Sequence, residues 1–235
     1  MITVSILLPV YNNKDDILNA IQSIIDQTFS DWELIIVDDC STDGTDKIIV
    51  DFISGKNNIF YQKNDVNIGI YSSLNNALLK ATGKYICRID SDDTVDKLYL
   101  ESNVVILDKK PKYVAVRSLS KREGYNVKYG EITTFYRKSI IEEIGYYDSV
   151  RFAADSEFSE RIIAKYGRKK IYLLNKLMYF AKLRPGSLTT SKTTSSKIIR
   201  NKYVTAYRNW HSTQNLYMPY SLITRPYEVD EIMLP

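Results

Sequence analysis

The sequence predicts an α/β protein built on a doubly wound, mostly parallel sheet with helices on both faces. Three observations predict it. Near-continuous apolar runs recur at Val4–Val10, Glu33–Val37 and Tyr85–Ile89, as in strands covered on both faces. Between them lie segments whose apolar residues return at helical spacing. The runs also end in polar turn residues, and right-handed crossovers put the loops after Val10, Val37 and Ile89 on one edge of such a sheet.

The first strand stops at Pro9-Val10-Tyr11-Asn12-Asn13, a proline and turn cluster, and Ile17, Ile21, Ile24 and Ile25 follow on one helical face. The Glu33–Val37 strand runs into Asp38-Asp39-Cys40-Ser41-Thr42-Asp43-Gly44-Thr45, a polar loop with a helix-start signature, in which Asp43 suits the cap. Ile48, Ile49, Phe52 and Ile53 give the next helix its apolar face. Ile59–Gln62 is a third strand, followed by a loop in which Gly69 lets backbone approach a ligand. Leu74, Ala77, Leu78 and Ala81 mark a helix ended by Gly83.

The second half is less regular. Leu98–Leu107 and Ser195–Trp210 read as helices, as do a short stretch from Ser139 to Gly145 and one from Ala153 to Gly167. Tyr113–Val116 and Thr133–Tyr136 read as strands, residues 118–131 as a loop, and Ile171–Leu174 with Leu177–Ala181 as a hairpin. Residues 212–235 contain three prolines and no period, which predicts an extended tail or the beginning of a further element.

Composition bounds the function. With 44% hydrophobic and 26% charged residues the chain reads as an ordinary globular protein. A net charge of +4 suits anionic ligands such as nucleotide sugars or membrane surfaces and is too small to argue for nucleic acid. No apolar run approaches the ~20 residues that cross a bilayer, and the N-terminus has neither a basic region nor a cleavage site of the secretory kind. Cytoplasmic location is the resulting expectation. Cys40 and Cys87 suggest no disulfide framework and read as small buried residues.

The stretch Tyr85–Asp93 (YICRIDSDD) carries the chemistry. A buried strand ends abruptly in Asp90, Asp92 and Asp93. Ligands of open α/β sheets bind at the carboxyl ends of strands. Carboxylates placed there suit Mg²⁺ or Mn²⁺ held together with a substrate diphosphate, since such ions take only one or two protein carboxylates. A lone D-x-D is as often a solvated turn, so the neighbouring motifs decide the matter.

Four segments in order, Pro9-Val10-Tyr11-Asn12, Val37–Thr45, Asn67-x-Gly69 and Asp90-Ser91-Asp92-Asp93, resemble the successive signatures of the family 2 glycosyltransferases. Ala154-Asp155-Ser156-Glu157-Phe158-x-x-Arg161 is similar to the segment that carries that family's catalytic base. The resemblance runs from about Ile2 to His211 and implies the GT-A fold, a nucleotide-sugar donor and inversion at the anomeric carbon. It implies a GT-A domain over residues 1–211, with a nucleotide-binding half at 1–93, an acceptor-binding half at 94–211, and a tail at 212–235.

The resemblance also implies roles. Pro9, Val10 and Tyr11 pack on the nucleotide base, and Asp39 accepts a hydrogen bond from it. Asn67 and Gly69 border the nucleotide, and Asn75 lies near the donor, although Leu74 stands where an arginine is often found. Asp90 and Ser91 touch the donor, Asp90 at the ribose, and Asp92 binds the metal; Asp93 orients the loop or faces the acceptor. Asp155 is the general base or, on local grounds alone, an N-cap. The family's preceding glutamate is Ala154 here, and Glu157 is the base if the alignment slips by two. His211 either completes the Mn²⁺ site or is a surface histidine near a helix end. Arg184 and Ser187 form a lid over the diphosphate or a simple tight turn.

These readings converge on a metal-dependent inverting glycosyltransferase. It would use Mn²⁺ or Mg²⁺ and move a sugar from a UDP-sugar to a hydroxyl of a glycan, lipid-linked or protein acceptor. The rivals are a nucleotidyltransferase and a non-catalytic sugar-nucleotide-binding module. The first usually shows a Gly-rich loop after strand one, and Pro9–Asn13 has no glycine; the second would have lost the acids.

Overall fold

The computed structural model describes residues 2–183, 197–213, 215–222 and 224–235. The first half alternates strand and helix as expected: β1 (Val4–Val10), α1 (Ile17–Ile25), β2 (Trp32–Asp38), α2 (Thr45–Ile53), β3 (Ile59–Lys63), α3 (Ile70–Lys80) and β4 (Tyr85–Arg88). Strands β3, β2, β1 and β4 lie side by side, all parallel. Their carboxyl ends therefore emerge on one edge.

Alternation along β1 explains why the run is apolar on both faces. Val4, Ile6, Leu8 and Val10 enter a core beneath α1 and α2, whereas Leu7 enters a second core with α3. Ser5 and Glu33 are buried within these strands at no loss of hydrogen bonding. The Ser5 hydroxyl donates to Glu33 at 2.5 Å, and Thr82 donates to the same carboxylate oxygen through its backbone N–H (2.7 Å) and hydroxyl (2.9 Å).

The second half continues the sheet with mixed directions. It comprises β5 (Thr94–Val95), α4 (Tyr99–Lys109), β6 (Ala115–Arg122), β7 (Lys128–Tyr129), β8 (Phe135–Arg137), α5 (Ile140–Ile144), α6 (Ala154–Tyr166), β9 (Ile171–Ala181) and α7 (Lys197–His211). The order beyond β4 is β8, β6, β9, β5, and β7 pairs only with β6.

Three expectations change here. Residues 118–131 are not a plain loop: β6 runs on to Arg122 and turns back through β7, pairing Leu119 with Tyr129 and Ser120 with Lys128. Ile171–Leu174 and Leu177–Ala181 are not a hairpin but one strand, β9, parallel to β6. Asn175 and Lys176 look like turn residues, yet the register slips between Ser118 and Leu119 and the extra residues are absorbed as a bulge. Cys87 is buried as expected, but Cys40 is only half-buried, in the left-handed region at φ 69°.

Residues 212–235 are irregular but packed on the rest of the chain. Met218 exchanges backbone hydrogen bonds with Ile144 (3.0 Å) and Tyr146 (2.9 Å), against Gly145. Arg225 and Tyr227 donate to the buried carboxylate of Asp148 at 3.2 and 2.7 Å, and Met233 is fully buried. The prolines break periodicity without detaching the segment. Among the described residues no helix is long and apolar enough to cross a membrane.

Candidate active site

A cleft of about 990 Å³ opens at the carboxyl ends of β1, β2 and β4. Pro9, Val10, Tyr11, Asp39, Asn67, Gly69, Asp90, Ser91, Asp92 and Asp155 all line it, so the structure brings ten of the twelve sequence-predicted site residues together.

Side chains of the first loop lock three loops to one another. The Asn12 backbone N–H donates to Ser41 Oγ (2.9 Å), and its side-chain oxygen accepts from the Thr42 N–H (2.8 Å). Asn13 donates from its backbone to Thr45 Oγ1 (2.9 Å) and from Nδ2 to Ser91 Oγ (3.0 Å). Asp43 accepts from the Thr45 N–H at 3.0 Å and so organises the start of α2. This latch leaves Tyr11 half-exposed at the mouth of the cleft.

Asp39 is nearly buried and shapes the neighbouring loop. Its Oδ1 accepts from Asn64 Nδ2 (3.0 Å) and the Ile68 N–H (2.9 Å), and its Oδ2 accepts from the Gly69 N–H (2.8 Å). A carboxylate offers about four acceptor positions, so roughly one remains for a ligand. Gly69 has φ 85°, a conformation that glycine adopts without a Cβ penalty.

The acidic turn is braced from two sides. Arg88, the last residue of β4, holds Asp90 through Nε (2.5 Å) and Nη2 (2.9 Å) in a fork geometry. Asp93 is buried and accepts from the Tyr179 hydroxyl (2.8 Å) and the Lys182 N–H (2.9 Å). Burial, reinforced by the charges of Asp90 and Asp92, pushes its pKa up to about 8. Asp93 thus ties the turn to β9, one of the two roles expected for it.

Asp90 and Asp92 set the test for a divalent metal. Among the described residues no group of three or more His, Cys, Asp or Glu forms a metal cage. An ion shared with substrate phosphates and water needs only one or two carboxylates. Asp92, with Asp90 beside it in the cleft, fits that demand.

Asp155 lies in the first turn of α6, after Ala153 at φ 71°. That left-handed residue turns the chain sharply into the helix, and Asp155 lines the cleft from there, near Arg88. Its Oδ1 accepts from the Ser156 N–H at 2.9 Å.

Two predicted site residues lie elsewhere. Asn75 is fully buried and faces the loop before α6: its Nδ2 donates to the Tyr147 carbonyl (2.8 Å) and its Oδ1 accepts from the Tyr147 N–H (3.0 Å). It clamps backbone and does not line the cleft. His211 does not line the cleft with Asp92. Its Nε2 is 2.9 Å from Glu157 Oε1, its side chain is 8% exposed, and Tyr207 and Trp210 pack against its ring. Glu157 is likewise fully buried and bound by Arg161, which removes it from the cleft. The lid expected at Arg184 and Ser187 lies outside the described residues.

Sequence reasoning missed several lining residues. Arg88 carried a signal, as the one charge in a strand of otherwise apolar and aromatic residues two positions before Asp90. Arg122, Tyr125, Asn126 and Lys128 reach the cleft from the β6–β7 turn, and Arg151 from the segment before α6.

Comparison with known proteins agrees with this arrangement. The description "Glycosyl transferase family 2" matches residues 5–172. The putative teichuronic acid biosynthesis glycosyltransferase TuaG of Bacillus subtilis is 40% identical over 101 residues, 43% of this chain and 40% of that protein. The chain spans less than half the length of the curated relatives TuaG and EpsE of Bacillus subtilis that it matches. The structure of S. aureus TarS 1-349 in complex with UDP-GlcNAc superposes with a TM-score of 0.71 at 25% identity, covering 81% of this chain and 61% of that one. The mannosyltransferase PcManGT of Pyrobaculum calidifontis, in complex with GDP-Man and Mn²⁺, shares the fold with a TM-score of 0.68 at 18% identity, covering 82% and 60%. With the family's segments in order around one cleft, the chain belongs to glycosyl transferase family 2 and has the GT-A fold.

Proposed function

We propose that this chain is a metal-dependent inverting glycosyltransferase that moves a sugar from a UDP-sugar to a hydroxyl of a glycan, lipid-linked or protein acceptor. One observation carries the reading: Asp155 shares a single cleft with Asp39, Asp90 and Asp92 while standing on a different element of the wall. Displacement at an anomeric carbon requires a base within the same cleft as the donor site. TarS, which has the same fold, is described in complex with UDP and with UDP-GlcNAc.

In this reading Pro9, Val10 and Tyr11 pack on the base, and the remaining acceptor position of Asp39 takes an N–H from it. Asn67 and Gly69 border the nucleotide, Asp90 holds the ribose and Ser91 keeps the turn latched to Asn13. Asp92, with Asp90 beside it, would hold Mg²⁺ or Mn²⁺, which when bound offsets the charge gathering on the leaving diphosphate. Asp155 accepts the proton of the acceptor hydroxyl as that oxygen forms its bond to the anomeric carbon. The bond from that carbon to the diphosphate oxygen breaks on the opposite face, and the nucleoside diphosphate leaves with the electron pair.

The test is a panel of nucleotide sugars assayed with and without Mg²⁺ or Mn²⁺, with the anomeric configuration of the product read by NMR. Metal-dependent consumption of a UDP-sugar with inversion is the expected result. Retention of configuration, or turnover unaffected by chelation, would overturn the respective part.

A further inference from the structure

Arg151 lies between α5 and α6, and its side chain is fastened in place by two distant parts of the chain. Its Nη1 donates to Asn67 Oδ1 at 2.9 Å, and its Nε donates to the Leu234 carbonyl at 2.8 Å. Its backbone N–H donates to the Met233 carbonyl at 2.8 Å. A Cβ built on Gly69 would meet Arg151 Cγ at 3.6 Å, so the side chain runs directly across the glycine that borders the cleft. Arg151 lines that cleft.

Among the described residues no anion meets the charge of this guanidinium. Both side-chain acceptors are neutral, and no carboxylate among the described residues forms an ion pair with it. Of the other cations that line the cleft, Arg88 is committed to Asp90 at 2.5 Å and Lys182 to Asp16 at 2.7 Å, while Arg122, Lys128 and Arg200 come from β6, β7 and α7. Helix α3, whose first turn also faces the cleft, carries no basic residue before Lys80 in its last turn. A half-buried guanidinium with N–H groups to spare, fixed in orientation beside an open cleft, is a ready receptor for phosphate oxygens.

We propose that Arg151 is an anion-binding residue of the donor site, taking the phosphate oxygens of a nucleoside diphosphate, and that the 233–234 backbone is the strap that aims it. This rests on the donor reading above. It gives the C-terminal segment a part in substrate binding, because two of its carbonyls fix the residue.

Calorimetric titration of uridine, UMP and UDP at fixed Mg²⁺ tests it on the full chain, Arg151→Met and Arg151→Lys. Methionine keeps a stem that can cover Gly69, and lysine keeps the charge but not the fork. Arg151→Met should weaken UDP by about 10-fold to 100-fold, the worth of one or two charge-assisted hydrogen bonds, and leave uridine within about 2-fold. Arg151→Lys should fall between. Equal losses for uridine and UDP would show that Arg151 merely props Asn67, and no loss for UDP would show that it touches no phosphate; either result overturns the proposal. If Arg151→Met does not fold, the same comparison in Arg151→Lys decides. A wild-type chain that binds none of the three nucleotides would overturn the donor reading itself. Binding with the wrong pattern overturns only the role of Arg151.

Discussion

Arg161 holds Glu157 by two parallel N–H···O bonds of 2.8 Å, neither side chain being exposed, and His211 meets the same carboxylate at 2.9 Å. Arg161 also donates to the carbonyls of Ile144 and Tyr146, so the knot joins α6, α7 and the loop after α5. Glu157 and His211 therefore have a structural task.

Glu157→Gln should destabilise the fold, because it leaves a buried guanidinium without its counter-charge. Breaking such a pair costs about 3–5 kcal/mol, which lowers the melting temperature by roughly 10 °C in a chain of this size. His211→Ala should also lower it, by less, and leave the metal dependence of UDP binding unchanged. Thermal melts and metal titrations check both. Lost turnover in Glu157→Gln at an unchanged melting temperature would instead restore it as a candidate base.

The parts legible in the sequence are those whose signal is local. Apolar runs ending in turns located β1, β2 and β4, and parallel pairing then placed their loops on one edge, so Tyr11, Asp39 and Asp90 meet as expected. What escaped depends on contacts between distant residues. Nothing near His211 announces Glu157, 54 positions away, and nothing near Asn75 announces Tyr147, 72 positions away. Asn175-Lys176 has turn chemistry, and only pairing with β6 makes it a bulge. Arg151 reads as an ordinary surface arginine until Asn67 and Leu234 are brought to it.

Asp92→Asn should abolish turnover and greatly weaken metal-dependent UDP binding, since an amide brings no charge to a cation shared with a diphosphate. Metal-free uridine binding should be unaffected, because the base contacts proposed above lie toward Asp39 and Tyr11. Calorimetry with UDP, with and without Mn²⁺, makes the comparison. Unchanged metal-dependent affinity would remove Asp92 from the metal site.

Gly145→Ala probes whether the C-terminal segment is part of the folded unit. Gly145 has φ 75°, and an added Cβ would collide with the Met218 carbonyl. Alanine must push the 216–220 stretch away, which also loosens the anchoring of Asp148 by Arg225 and Tyr227. The expected outcome is a lower melting temperature and faster proteolysis within residues 212–235. A variant that melts and resists protease like the parent would mean that this segment adds nothing to stability.

Asp155→Asn separates chemistry from binding. Asparagine keeps the size, and its side-chain oxygen can still accept from the Ser156 N–H at the start of α6, so the fold should survive. It cannot take the acceptor's proton, and turnover should fall by roughly 10²–10⁴-fold. UDP and metal affinity should hardly change, because Asp39 and Asp92 stand on the strand-end loops and Asp155 on α6. Steady-state kinetics with UDP titrations on the same preparation read both quantities. Near-normal turnover would place the base elsewhere. With Glu157 sealed by Arg161 and His211, the search would then move to Glu131, another acid that lines the cleft.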